Sequence, residues 1–366
     1  MVRVLHVLPR FRFGGIPVMV MNLYRAMNRD EVQFDFIIFT QEHGVFNDEI
    51  ESMGGKIFYI PKFNGKNLFA VKKAWNDFFI AHPEYKIIHS HVRSTAFLYL
   101  PIAKKHGLKT IEHSHSTSNG GGISSFVKYL FQLPLKYQAD YLFACSDIAG
   151  QWLYGKSVLS KKNYKMIPNG IKLEDFKYSD DTRQRLRDSF HIKNELVIGH
   201  SGRFHEAKNH KFLLEIFAKV RSKNVNAKLL LVGDGDLRQS IEEEIDRLGI
   251  KDSVIITGMI RDVAPYYSAM DIFVFPSLWE GLPVSVVEAQ AAGLPCLISD
   301  TITKQVDFSE LVKTLPINTG CDVWVDAIEK ADYTRKDVSD SIREAGFDIG
   351  TTAKELEAFY RGLANE

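Results

Sequence analysis

Two α/β domains in tandem, each a parallel sheet wound by helices, are predicted by three features of this chain. Short β-branched and aromatic runs alternate with helical patterns along its whole length, as in doubly wound folds. Those runs fall into two series divided by Pro168-Asn169-Gly170, a turn string with no apolar residue able to carry on an element. The length, 366 residues, suits two domains of ordinary size.

The first series of strands is read as Arg3–Leu8, Phe34–Thr40, Lys56–Ile60, Lys86–Ser90, Thr110–His113 and Tyr141–Cys145. Between the first two, Ile16, Val20, Leu23 and Met27 recur at helical spacing. The second series runs Leu196–His200, Lys228–Val232, Val254–Thr257, Ile272–Phe275 and Pro295–Ser299. The expected domains are therefore two Rossmann-like units, residues 1–168 and 169–349, with the polar segment Ser179–Arg187 as connector and first helix of the second. A terminal helix within residues 350–366, amphipathic over Thr352–Leu363, is expected to pack back on the first domain. Two such domains are expected to face across a central cleft, with their sheet carboxyl ends lining it.

Composition is that of an ordinary globular protein, 45% hydrophobic and 25% charged. Cys145, Cys296 and Cys321 are widely spaced in apolar or mixed strings, which favours reduced thiols and a cytoplasmic setting over disulfides. No apolar run is long enough to span a bilayer, and the opening MVRVLHVLPRF reads as a first strand and not as a signal peptide. The net charge of +1 is unevenly divided. Residues 1–165 hold 21 Lys and Arg against 12 Asp and Glu, and the remainder 25 against 33. The basic half suits an anionic partner such as a lipid diphosphate or the inner face of the plasma membrane, although a solvated surface explains the imbalance equally well. Its cations are scattered and not interleaved with aromatics, which argues against nucleic acid.

The most informative stretch is FPSLWEGLPVSVVEAQAAGLPCLIS, Phe275 to Ser299. Gly281-Leu282-Pro283 follows a strand and reads as a helix start, with Pro283 expected in the first turn, where its missing N–H costs nothing. Gly293 and Pro295 stop that helix. A helix start after a strand offers free amides and partial positive charge to a phosphate. Glu288, one to two turns further in, is placed to accept both hydroxyls of a ribose. Glu280, just before the helix, is placed to accept hydroxyls of a group on the far phosphate. Most glutamates are simply solvated charges. This helix, however, is almost wholly apolar apart from Glu288 and Gln290, so a carboxylate in it needs a partner.

Other motifs fit the same chemistry. Phe13-Gly14-Gly15 after the first strand lets backbone approach a ligand, though glycine-rich turns are common and GxGxxG is absent. In GRFHEAKNH, Arg203 and Lys208 follow a strand and suit a diphosphate, one as a fork and the other as a point charge. His89-Ser90-His91 and His113-Ser114-His115 end two strands, each pair on one face. Four histidines suggest zinc, but no Cys or carboxylate joins them at ligand spacing, so no metal is expected. Asp234-Gly235-Asp236 resembles a DxD metal motif; helix capping and turn formation are the expected explanation.

Taken together, GG after the first strand, the HSH strings, PNG, GRFHEAKNH, LLLVGDGDLR and PSLWEGLPVSVVEAQAAGLP resemble the family 4 retaining glycosyltransferases of GT-B architecture. Within them the chain is most similar to the bacterial exopolysaccharide and capsule branch. The resemblance covers nearly the whole chain, and its last motif is highly specific. It implies a nucleotide-sugar donor, UDP-sugar ahead of GDP-sugar, and no cofactor. It implies that Glu288 holds the ribose, that Arg203 and Lys208 neutralise the diphosphate, and that Glu280 with the backbone of Gly281 and Leu282 holds sugar hydroxyls. Backbone near Arg261 would read the base, and His113 or His115 would lie beside the transferring sugar. Many relatives carry a glutamate two residues after the GG pair; Pro17 stands there in this chain, so that contact is not carried over.

The acceptor expected is a saccharide, lipid-linked in a surface polysaccharide pathway. Ile123, Phe126, Val127, Leu130 and Phe131, with Lys128 and Lys136 beside them and Gly120-Gly121-Gly122 before, form a candidate membrane-resting helix. Packing of that helix on the first domain's core is the competing expectation. A nucleotide-sugar epimerase or hydrolase on the same frame, and a non-catalytic sugar-nucleotide sensor, are the rival functions.

Overall fold

A computed structural model describes residues 1–12, 14–115, 129–223 and 226–365. The chain divides into two compact units, Met1–Gly170 with Ile349–Glu366, and Ile171–Asp348. The candidate membrane-facing residues Ile123, Phe126, Val127 and Lys128, with the glycines before them, lie outside the described residues, as does Phe13. Leu130 is exposed, and Phe131 stacks on Phe97 at 4.5 Å.

The first unit holds a seven-stranded parallel sheet of β1 (Val2–Val7), β2 (Val32–Ile38), β3 (Ile57–Tyr59), β4 (Ile87–Ser90), β5 (Lys109–Ser114), β6 (Tyr141–Ala144) and β7 (Tyr164–Met166). Their order is β3-β2-β1-β4-β5-β6-β7. One face carries Val4, Phe34, Phe36, Ile111 and Phe143 under the helices Gly15–Ala26 and Ile349–Ala364. The terminal helix buries Ile349, Ala353, Leu356, Tyr360 and Leu363, a helical stripe that completes this core. The opposite face carries Leu5, Val7, Ile88 and Leu142 under Leu68–Ala81 and Ala96–Lys105.

The second unit repeats the plan with β8 (Leu196–Ser201), β9 (Ala227–Val232), β10 (Val254–Ile256), β11 (Ile272–Phe275), β12 (Cys296–Ser299) and β13 (Val312–Leu315), ordered β10-β9-β8-β11-β12-β13. In both sheets the first strand sits inside, and the winding reverses there: β1 between β2 and β4, β8 between β9 and β11. Ligands in open α/β sheets bind outside the strand carboxyl ends at such a reversal.

The sequence reading omits β7 and β13. Both are edge strands, β7 only half-buried and β13 with Lys313 and Thr314 exposed, so neither has the apolar run that marks an internal parallel strand.

Candidate functional site

In the second unit the loops after β8 and β11 flank the reversal point, and backbone and side-chain bonds tie them together. The Leu278 N–H donates to the Ala207 carbonyl at 2.7 Å, and Asn209 Nδ2 donates to the Pro276 carbonyl at 3.2 Å. Asn209 itself is left-handed at φ 54°, a conformation asparagine tolerates better than most residues. Lys208 runs back over Gly202; a Cβ there would stand 2.9 Å from Lys208 Cε, so the glycine makes room for the lysine stem. Its Nζ lies 2.8 Å from Glu280 Oε1 and 4.5 Å from the centre of the Phe275 ring. The two charged side chains are only 16% and 15% exposed. Their mutual attraction is thus less screened than that of a surface pair.

Glu288 lies on the helix Val284–Ala291. Pro283 stands at the position before that helix, with φ −80° and ψ 88°, and not in its first turn as the sequence reading has it. Its ψ is outside the helical range, so the spiral begins one residue later. Gly281 and Leu282, before it, are half-buried. Gly293, at φ +71°, ends the helix in a conformation natural to glycine.

The partner that Glu288 requires is Tyr267, whose hydroxyl donates to Oε2 at 2.6 Å. Burial pushes the Glu288 carboxyl above the usual carboxylate range, while Tyr267 and the charge of Lys208 oppose that shift. Sequence reasoning misses Tyr267. It sits in the short helix Ala264–Ala269, and only its place opposite Glu288 in the fold reveals it.

The two arginines stand apart from this cluster. Arg203 Nη2 pairs with Asp236 Oδ2 at 2.7 Å, and the side chains are 66% and 73% exposed. Arg261 is exposed. The Asp234-Gly235-Asp236 turn forms, with Asp234 Oδ1 accepting from the Gly235 N–H at 2.8 Å, but neither aspartate caps a helix: the cap position of Arg238–Arg247 is Leu237. The capping expectation is corrected accordingly, because the chain makes a further turn before the helix, with the Arg238 N–H bonded to the Gly235 carbonyl.

In the first unit Gly14 and Gly15 begin the helix after β1 and are exposed; a Cβ on either meets nothing within 4 Å, so open space surrounds them. At the carboxyl ends of β1, β4 and β5 the histidines form a stack. His6 Nδ1 meets His91 Nε2 at 3.0 Å, and His91 Nδ1 meets His115 Nε2 at 2.8 Å. His89 Nε2 meets His113 Nδ1 at 3.2 Å, and His89 Nδ1 meets the Tyr360 hydroxyl at 2.7 Å. His6, the fifth member, is missed by the motif reading because it stands alone in an apolar strand. Burial holds all five imidazoles well below their usual pKa, His91 at about 3.

His6, His89 and His91, and likewise His91, His113 and His115, bring three nitrogens within 4.8 Å, close enough to consider a metal. Their rings lie side by side, His6 on His91 at 11°, His89 on His91 at 19°, and His113 on His115 at 30°. The 2.8–3.2 Å contacts are nitrogen–nitrogen hydrogen bonds, which occupy ring nitrogens that would otherwise be free to ligate. The geometry is that of a hydrogen-bonded stack.

Comparison with known proteins places the chain in a family. Residues 195–330 match the family described as "Glycosyl transferases group 1", and residues 13–175 match "Glycosyltransferase Family 4". The chain is 35% identical over 360 residues to the "Putative glycosyltransferase EpsF" of Bacillus subtilis, covering 96% of this chain and 94% of that protein. It is 25% identical over 287 residues to the "UDP-Gal:alpha-D-GlcNAc-diphosphoundecaprenol alpha-1,3-galactosyltransferase" of Escherichia coli, covering 73% of this chain and 72% of that one. Among solved structures, the Anabaena protein Alr3699/HepE in complex with UDP superposes with a TM-score of 0.81 at 18% identity, over 99% of this chain and all of the other. That likeness is one of fold, two Rossmann-like parallel-sheet domains of the GT-B type. With the two family matches and the 35% identity over nearly the whole of EpsF added to it, the chain belongs to the group 1, family 4 glycosyltransferases, and is an enzyme of that class.

Proposed function

We propose that the enzyme transfers a sugar, with retained configuration, from a UDP-sugar to a lipid-linked saccharide during assembly of a surface polysaccharide. The observation that carries this reading is the pairing of Lys208 with Glu280 at 2.8 Å across the two loops at the reversal of the second sheet, with Glu288 held by Tyr267 close by. A cation and two acidic groups at that point match a pyrophosphate flanked by two polyols. The UDP bound to the Anabaena protein, and the UDP-galactose and lipid diphosphate named for the E. coli relative, support the choice of donor and acceptor.

In this reading Glu288 accepts the ribose hydroxyls, and Glu280 with the backbone of Gly281 and Leu282 accepts those of the sugar. Lys208, Arg203 and the amides before Val284 meet the diphosphate. The bond between the anomeric carbon and the β-phosphate oxygen breaks through an oxocarbenium-like transition state, and the acceptor hydroxyl oxygen bonds to the same face as its proton passes to the departing β-phosphate oxygen. Charge builds on the departing diphosphate, where preorganised cations and amides lower the barrier most. No resident metal is invoked. His113 or His115 addresses the sugar, and the backbone near Arg261 the base. The enzyme acts in the cytoplasm, at the inner face of the membrane that holds its acceptor; no helix of the described residues is long and apolar enough to cross it.

Differential scanning fluorimetry against a panel of nucleotide sugars tests the donor. A ligand at 100 times its Kd adds ~2.7 kcal/mol to stability, so the UDP-sugar substrate raises the melting midpoint visibly. A panel without any shift contradicts the proposal. Appearance of a new sugar isomer from UDP-sugar alone favours an epimerase.

A further inference from the structure

Arg335 lies in the segment between the helices Asp322–Glu329 and Ser339–Glu344, away from every motif that the sequence reading singles out. Its guanidinium joins the carboxyl ends of two other helices at once. Nη1 donates to the Ala292 carbonyl at 2.6 Å. Nη2 donates to the carbonyls of Tyr267 and Ser268, at 3.0 and 3.1 Å, and to that of Met270. Ala292 ends the helix that carries Glu288, and the other three end the helix that carries Tyr267. We infer that Arg335 is a positioning residue for the nucleotide: it sets Tyr267 against Glu288, and through that pair the grip on the ribose. The inference rests on the proposed ribose role of Glu288.

Both helices are short, Val284–Ala291 with eight residues and Ala264–Ala269 with six. Helices of that length are not stable alone in water, so tertiary contacts decide where they lie. The last carbonyls of each have no intrahelical partner, and the helix dipole favours a cation there. Arg335 serves both ends with one planar fork, which the single ammonium of a lysine does not reproduce. The guanidinium rests 4.5 Å from the centre of the Tyr178 ring. Burial lowers its pKa to about 10, which leaves it charged at neutral pH. The backbone is fitted as well. The Lys336 N–H donates to the Gly293 carbonyl at 3.4 Å, and a Cβ on Gly293 would stand 2.8 Å from the Lys336 carbonyl oxygen. Gly293 thus admits this segment as well as ending the helix.

Arg183 marks the contrast. Its Nη1 donates to the Ser268 and Met270 carbonyls at 3.1 and 3.0 Å, and its Nη2 to Asp271. Among the described residues, Arg335 alone bonds to the ends of both helices. That tie matters because the Tyr267 hydroxyl, at 2.6 Å, opposes the burial that pushes the Glu288 carboxyl up. Displacing one helix end against the other stretches the bond; the carboxyl then takes up a proton and offers the ribose one acceptor fewer.

Calorimetric titration with UDP tests the inference on wild type, Glu288→Ala, Arg335→Met, Arg335→Lys, Tyr267→Phe and the Tyr267→Phe, Arg335→Met double variant. Circular dichroism checks that each is folded. Expected in Arg335→Met is a Kd raised about tenfold at unchanged stoichiometry, the loss of one hydrogen bond to a charged group. Arg335→Lys falls between it and wild type, and replaces it throughout if Arg335→Met fails to fold. In the Tyr267→Phe background the Arg335 change adds less than about twofold, because it acts through that hydroxyl. A purely structural role shrinks the folded fraction, lowering the stoichiometry and leaving the Kd alone. That result, or an equal effect with and without the Tyr267 hydroxyl, overturns the inference. So does wild-type affinity in both Arg335 variants while Glu288→Ala binds weakly. Wild-type affinity in Glu288→Ala strikes the ribose assignment itself, and the inference falls with it.

Discussion

Three side chains carry the proposed donor site, and a different device holds each. Lys208 is threaded over Gly202, Glu280 is drawn to Lys208 by charge, and Glu288 is fixed by the Tyr267 hydroxyl. Their proposed roles separate in kinetics. Glu288 binds a part of the donor that does not react, so Glu288→Ala raises the donor KM with little change in kcat. Lys208 meets charge that grows in the transition state, so Lys208→Ala lowers kcat. Each loss of a charge-assisted contact amounts to ~1.5–3 kcal/mol, about one to two decades. Steady-state rates with the UDP-sugar check both, and wild-type constants in the two variants contradict the assignments. Arg203 differs: it is exposed and paired with Asp236, so its contact with the diphosphate is more strongly screened and its loss costs less.

At the level of elements, the strands and helices of both sheets are legible because internal parallel strands are continuous apolar runs and their helices show 3.6-residue periodicity. The edge strands Tyr164–Met166 and Val312–Leu315 lack that signal. Within the site, Lys208, Glu280 and Glu288 stand out as charged residues in otherwise apolar or glycine-rich strings. Tyr267, His6 and Tyr360 do not, since a tyrosine or histidine in an apolar element looks like core until the fold supplies its partner. The β1, β4 and β5 ends carry a consequence for stability. Their five neutral imidazoles lie well below an unfolded pKa near 6.5, so the unfolded chain binds more protons in acid and stability is lost as pH falls below ~6.5. Glu112, buried on the opposite face of β5, has the reverse sign. Its carboxyl is pushed by burial to about 8, so its contribution is full below the unfolded pKa and is lost as pH rises from ~4.5 to about 8. Melting midpoints across this range should fall on both sides, and Glu112→Gln should remove the alkaline decline while keeping the acid one. An alkaline decline that survives in the variant contradicts the assignment.

Over the whole molecule, the same winding order recurs in both units, and each places its polar residues outside the reversal point of its own sheet. The first unit offers a neutral, hydrogen-bonded histidine stack, suited to hydroxyl groups. The second offers a cation with two carboxylates, suited to a nucleoside diphosphate and its sugar. The two sheets were readable in the order of strand runs, and the proposed donor residues in the motifs after β8 and β11. The pairings that tune each site were not, because they join residues far apart in sequence. The central claim is that the second unit alone grips the nucleotide, and a crystal structure of the protein soaked with UDP tests it most directly. The prediction is pyrophosphate beside Lys208 and the amides before Val284, with the ribose on Glu288. UDP bound anywhere else, or density absent at saturating nucleotide, contradicts it.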